Sequence, residues 1–179
     1  IPLSRGSFDR GGHYEVEYDI AQYNAYIERI GNKRHTISPG DSIKLDPTVK
    51  IACLASGGSG IVDSLTANEN DLSVVLKVSY GDFDIFLGGD LSGADQGSSG
   101  YHDLETHVAP EVGRVEVLKV NHHGSAHSTN TTFLNTLNPK VAVLCLGKNN
   151  YGHPKESTMQ KLNSRKIKVF QTGHPKGGI

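Results

Sequence analysis

Two adjacent imidazoles close an apolar run in this chain. Val115-Glu116-Val117-Leu118-Lys119-Val120 leads directly into Asn121-His122-His123-Gly124-Ser125. A neutral imidazole is a good ligand for zinc or manganese. A carboxylate follows a second apolar run in the same manner: Phe83-Asp84-Ile85-Phe86-Leu87, then Gly88-Gly89-Asp90. An ionised Asp90 is acceptor-only and its two oxygens can bridge two cations. A third run, Val141 to Leu146, ends in Gly147-Lys148-Asn149-Asn150-Tyr151-Gly152-His153-Pro154. An ammonium and an imidazole around such a turn suit an anionic group, either a phosphate or a developing oxyanion. Ligands that converge from the ends of different strands are the usual construction of a catalytic metal centre.

The elements that must position these residues can be read from periodicity. Val115 to Val120 and Phe83 to Leu87 are rich in β-branched and aromatic residues and predict strands. Leu72 to Tyr80 alternates between faces, and Gly81-Asp82 predicts a hairpin joining it to Phe83–Leu87. Val49 to Leu54 and Ile167 to Phe170 predict further strands. Helices are expected over Asp19 to Ile30, with Gly31 as its stop, and over Tyr101 to Ala109, ending at Pro110. Two more are expected over Thr131 to Leu137, with Asn130 as cap, and from Pro154 in a first turn to about Ser164. Strands alternating with helices, plus one antiparallel hairpin, indicate an α/β fold with a mixed sheet. In open sheets of this kind ligands sit at the carboxyl ends of strands.

On an extended backbone the His122 and His123 side chains diverge. One is therefore expected as a metal ligand and the other as a substrate or outer contact, and the residues leave open which. His153 precedes a proline, which pushes it to extended geometry outside the helix beyond. His102 and His107 lie five apart on their helix, so both are expected at the surface, and His127 is expected to have a structural and not a functional role. His13 is expected in a solvated loop. The Ser/Gly stretch Ala55 to Gly60 is a weak candidate for a phosphate loop, since no helix signature comes after it.

Bulk properties narrow the class. The 179 residues suit one domain with a substantial core. A net charge of −1 gives no electrostatic footprint for nucleic acid or an anionic membrane. No apolar run approaches the roughly 20 residues of a membrane span, and Ile1 to Arg10 lacks the apolar segment of a signal peptide; the compartment is left open. Cys53 and Cys145 lie in apolar runs and are expected as buried thiols, with a disulfide possible.

The sequence resembles the metallo-β-lactamase superfamily, in the branch of the competence protein ComEC and its free-standing relatives. The residues that carry this are Asn70-Asp71-Leu72-Ser73, Gly88-Gly89-Asp90, Leu118 to Ser125 and Gly147 to Pro154, within about residues 40 to 179. The resemblance implies a metallo-β-lactamase-like αββα sandwich of two halves, of which this chain would supply mainly the second. It implies two divalent ions, zinc or manganese, with Asp90 bridging, and a metal-bound hydroxide that attacks a phosphoester or related ester. His153 and Lys148 would hold or protonate the leaving side. Asn70 and Ser73 match the Asn-x-x-Ser of the family and are expected to make local side-chain bonds at the strand entry.

One signature is missing. The family's His-x-His-x-Asp-His, which supplies most metal ligands, does not occur in these 179 residues, and the only methionine is Met159. The expectation is a C-terminal portion, residues 1–179, of a larger domain whose N-terminal half is a partner segment. The alternative is a non-catalytic domain that keeps the fold and serves as a binding module.

Overall fold

A computed structural model of the chain describes residues 3–4, 17–61, 69–93 and 101–173. His13, His174 and most of the Ser92–Gly100 connection lie outside them. The architecture is mixed α/β. Seven strands form one sheet in the order β3 (Ser42–Lys44), β4 (Val49–Ala55), β5 (Val75–Tyr80), β6 (Phe83–Leu87), β7 (Val117–Lys119), β8 (Val141–Leu144) and β9 (Lys168–Gln171). β1 (Leu3–Ser4) and β2 (His35–Thr36) form a separate parallel pair. The first four strands of the large sheet are an antiparallel meander, with Tyr80 paired to Phe83 across the Gly81-Asp82 turn. The last four run parallel. Parallel neighbours need a crossover, and α2 (Leu104–Val112), α3 (Thr131–Leu137) and α4 (Glu156–Ser164) provide them. α1 (Glu17–Ile30) precedes the sheet.

Alternation along the strands sorts the two faces. Phe86, Leu118, Ala142 and Leu144 are fully buried, in one cluster with Leu104, Val108 and Val112 of α2, Phe133, Leu134 and Leu137 of α3, and Leu162 of α4. The Phe86 and Phe133 rings meet edge-on at 5.1 Å. The intervening residues Ile85, Leu87, Val117, Val141 and Val143 point to the other face and are only half-buried. Helices α2, α3 and α4 thus share the face on which the core lies.

Several boundaries differ from expectation. α2 starts at Leu104, because the Asp103 carboxylate accepts from Thr106 N at 3.0 Å and caps it there. It continues through Pro110 to Val112, since Ala109 and Val112 are both buried in the core. Residues Glu69–Leu72 form a 3-10 turn, so β5 begins later, at Val75. α4 starts at Glu156 with Lys155 as its N-cap, which places Pro154 in the preceding turn and His153 further from the helix. Asn130 caps α3 as expected, accepting from Phe133 N at 2.8 Å. Both cysteines are free thiols; Cys53 is buried and Cys145 only half-buried. Burial pushes the Cys53 thiol up to about 11.

Candidate functional site

β6, β7 and β8 run parallel, so their carboxyl ends share one rim, and each delivers a polar turn there. Beyond β6, Gly88-Gly89 turns the chain and Asp90 comes next. Gly89 has φ +60°, and a Cβ on Gly88 would come within 2.5 Å of both the Phe86 ring and Asn121 Oδ1. The turn is pinned from three sides. Ser73 Oγ accepts from Asp90 N at 3.0 Å. Lys119 Nζ donates to Gly89 O at 2.8 Å. His122 N donates to the same carbonyl at 3.1 Å. The Ser73 bond reaches across to another element, where the sequence predicts a local one. The side chain points at the Asp90 turn because Ser73 sits just before β5, the direct neighbour of β6.

Beyond β7 the backbone is not extended. His122 and His123 have φ of +46° and +52°, in the left-handed region. The expectation that the two rings diverge because the backbone is extended therefore fails on its premise. A tight turn over Asn121–Gly124 replaces the strand end, held by Ser125 N donating to His122 O at 2.9 Å. The rings still go different ways. His123 Nε2 lies 3.5 Å from Asp90 Oδ1, and its Nδ1 hydrogen-bonds the Cys145 carbonyl at 2.7 Å. A carbonyl accepts only from N–H, so Nδ1 carries a hydrogen and Nε2 is the ring nitrogen that faces Asp90. The His122 ring instead meets the His153 ring edge-on, with centroids 5.6 Å apart, and its Nδ1 is buried without a partner.

Beyond β8 the third turn is drawn against the second. Lys155 N donates to Gly124 O at 2.8 Å and Thr158 Oγ1 to Ser125 O at 2.9 Å. Gly124 has φ +77°, and a Cβ there would lie 2.9 Å from Pro154 Cβ. This close approach carries His153 to His122. Asn149 braces the loop, accepting from His153 N at 3.1 Å and donating to His153 O at 3.2 Å. His123, Lys148, Tyr151 and His153 line a cleft of about 170 Å³. Lys148 is exposed at its edge.

The electrostatics favour the neutral form of His122 and of His153. Burial holds His122 below the ordinary histidine range, against the pull of Asp90, and the neighbouring His153, His123 and His127 push the same way as burial. His153 is also lowered, by burial first and then by Lys155 and His123. Burial lowers Lys119 too, with Asp90 opposing. Among the described residues, no group of three or more His, Cys, Asp or Glu is arranged to hold a metal ion. Asp90 and His123 face each other and His122 is adjacent, but these donors do not complete a coordination set.

His102 is half-exposed at the surface, yet its Nδ1 pairs at 2.7 Å with Asp71, which is fully buried. His127 stacks on Tyr101 with ring centroids 3.8 Å apart. The Ala55–Gly60 stretch is no phosphate cradle. Ser56 N and Ser59 N bond the facing carbonyls of the same turn, and Gly57 N donates to Leu72 O. Lys119 and Glu105 are residues that sequence reasoning misses. The available signal for Lys119 is a cation within an apolar strand. For Glu105 none exists, because a glutamate in a first helical turn is ordinary.

No family model matches the chain. It is similar to ComE operon protein 3 of Bacillus subtilis, with 37% identity over 107 residues, covering 59% of this chain and 13% of that protein. It is also similar to Recombination protein 2 of Haemophilus influenzae, with 31% identity over 109 residues, covering 60% of this chain and 13% of that protein. The chain thus spans about an eighth of the length of these relatives. Among solved structures it resembles CmlA, a diiron β-hydroxylase from Streptomyces venezuelae, at a TM-score of 0.51 and 9% identity, over 84% of this chain and 35% of that one. At that identity the likeness concerns the fold alone. No described helix is long and apolar enough to cross a membrane. The chain is ComEC-like in sequence, and its fold is the mixed α/β arrangement implied by the resemblance to the metallo-β-lactamase superfamily.

Proposed function

We propose that this ComEC-like segment forms one wall of a hydrolase site acting on a phosphoester or related ester bond. One observation carries the reading: three parallel strand ends bring Asp90, the His122–His123 turn and His153 to a single rim, with Asp90 and His123 3.5 Å apart. Asp90, His122 and His123 would contribute donors to a divalent metal, zinc or manganese, and further donors would have to come from beyond the described residues. The remaining chemistry belongs to the cleft. Lys148 at its edge suits the negative oxygens of a phosphoester. His153, kept neutral at pH 7, offers an N–H to the leaving oxygen, where charge develops in the transition state.

Turnover of a chromogenic phosphodiester with added Mn²⁺ or Zn²⁺, measured alongside bound metal, tests this. It is to be run on the whole protein that contains the segment. His153→Ala should lower kcat by about 10²–10³-fold with metal retained, whereas Asp90→Ala should lose metal and turnover together. Full turnover by His153→Ala, or metal loss as complete as that of Asp90→Ala, would remove the assigned role. The incomplete donor set also favours a second reading, a binding module. Absence of metal-dependent turnover in the wild-type protein would favour it.

A further inference from the structure

Beneath the rim lies a group that the proposed chemistry does not use. Glu105, in the first turn of α2, is completely buried. Its Oε1 accepts from Asn121 Nδ2 and from Thr129 N, both at 2.7 Å. Its Oε2 accepts from Asn130 N at 2.7 Å. These three donors belong to the two ends of one loop. Asn121 immediately precedes His122 and His123, and Thr129-Asn130 close the loop onto α3. One carboxylate therefore ties the loop shut from below, and Ser128 Oγ adds a bond across it to Asn121 O at 2.9 Å.

The fit is close on every side. A Cβ on Gly93 would overlap the Glu105 carboxylate. Asn121 also supports the neighbouring turn, since a Cβ on Gly88 would strike its Oδ1. Asn121 thus stands between the turn that carries Asp90 and the turn that carries the imidazoles. Both imidazoles are in left-handed backbone, a conformation that non-glycine residues keep only where the surroundings impose it. All three bonds to the buried Glu105 carboxyl group are 2.7 Å long, and together they tie both ends of the loop to α2.

We propose that Glu105 is the positioning residue of the rim: through Asn121, Thr129 and Asn130 it imposes the backbone that aims His122 and His123. The inference rests on the hydrolase reading only for the purpose of that aim. Its test needs neither metal nor substrate, so failure of turnover leaves it standing and its own failure leaves the turnover reading intact.

The test is NMR on the metal-free chain. Imidazole 15N signals of His122 and His123 and amide exchange at Thr129 and Asn130 are compared in wild type, Glu105→Gln, Asn121→Ala and Phe133→Leu. Gln keeps the shape but offers one acceptor and two donors where three donors converge. Glu105→Gln should speed exchange at Thr129 and Asn130 by roughly 10- to 100-fold and shift both imidazole signals. Amides of β9 should move less. Asn121→Ala leaves the carboxylate and two of its bonds in place, so it reads the same link in a milder form, with smaller shifts of the same signals. Phe133→Leu loosens the core next to the loop without removing a bond to Glu105, and should move the imidazole signals less than either of the other two variants. The inference is overturned if Glu105→Gln or Asn121→Ala leaves the imidazole signals unmoved, or if Phe133→Leu moves them as far.

Discussion

The rim and the carboxylate below it are polar groups that the same fold treats in opposite ways. At the rim, the Asp90 and His123 side chains are 35% and 47% exposed and share a single 3.5 Å approach. His122 keeps a buried ring nitrogen with no partner. Glu105, beneath them, has no exposure and three 2.7 Å bonds. Unsatisfied polar atoms cost stability and are available for a ligand; satisfied ones hold geometry and are available for nothing else. The rim can leave its groups open because the Glu105 carboxyl group beneath it accepts from both ends of the loop that carries them. That division of labour predicts that stability and activity respond to different residues.

The largest effect should come from breaking the support outright. Glu105→Ala strands three buried donors and leaves a void, which places the loss at about 3–5 kcal/mol, a large share of an ordinary domain's stability. Urea unfolding measures it directly. A loss below about 1 kcal/mol would mean that the carboxylate is dispensable and the contrast with the rim is false.

A smaller effect, in opposite directions for the two regions, should appear with pH. Burial pushes Glu105 from 4.5 up to about 7, with the bonds from Asn130, Thr129 and Asn121 opposing the rise. Between those values the folded chain keeps a proton that the unfolded chain has released. Stability from this group therefore falls as pH rises from about 4.5 to about 7, by on the order of 3 kcal/mol. His122 and His153 are lowered from 6.5. On acidification the unfolded chain takes up their protons first, so their contribution is intact above about 6.5 and is lost below it. Glu105→Gln should remove the falling component and leave only the histidine rise. Unfolding midpoints from about pH 4.5 to about pH 7.5 for both proteins would show it, and identical profiles would refute the opposed signs.

The smallest effect should belong to the rim's own edge. Lys148 is exposed, so Lys148→Ala should change stability by less than about 0.5 kcal/mol. On the whole protein its KM for the phosphodiester should rise, because removing an exposed charge weakens attraction of an anion without touching the scaffold. A stability loss comparable to that of Glu105→Ala would place Lys148 in the support and not at the rim.

Much of this is legible from local pattern. The apolar runs of β6, β7 and β8, the Gly81-Asp82 hairpin and the Asn130 cap are short-range features, set by side-chain alternation, glycine and a hydrogen-bonding side chain within a few residues. The succession of strands ending in Asp90 and His122-His123 is likewise readable, because residues just past a strand in the chain lie just past its end in space, whereas His153 is carried to them by the contacts of Gly124 with Pro154 and Lys155. Parallel pairing then puts the three ends on one rim. Only the tertiary structure decides how each side chain is aimed. His123 faces Asp90 and His122 faces His153 because Asn121–Gly124 folds into a left-handed turn, which a β-branched strand ending in two histidines does not announce. Ser73 holds Asp90 from 17 residues away, Glu105 holds Asn121 from 16, and Asp71 reaches His102 from 31. Those bonds join residues whose neighbours in sequence say nothing of each other, and their partners exist only once the sheet has stacked the elements that carry them.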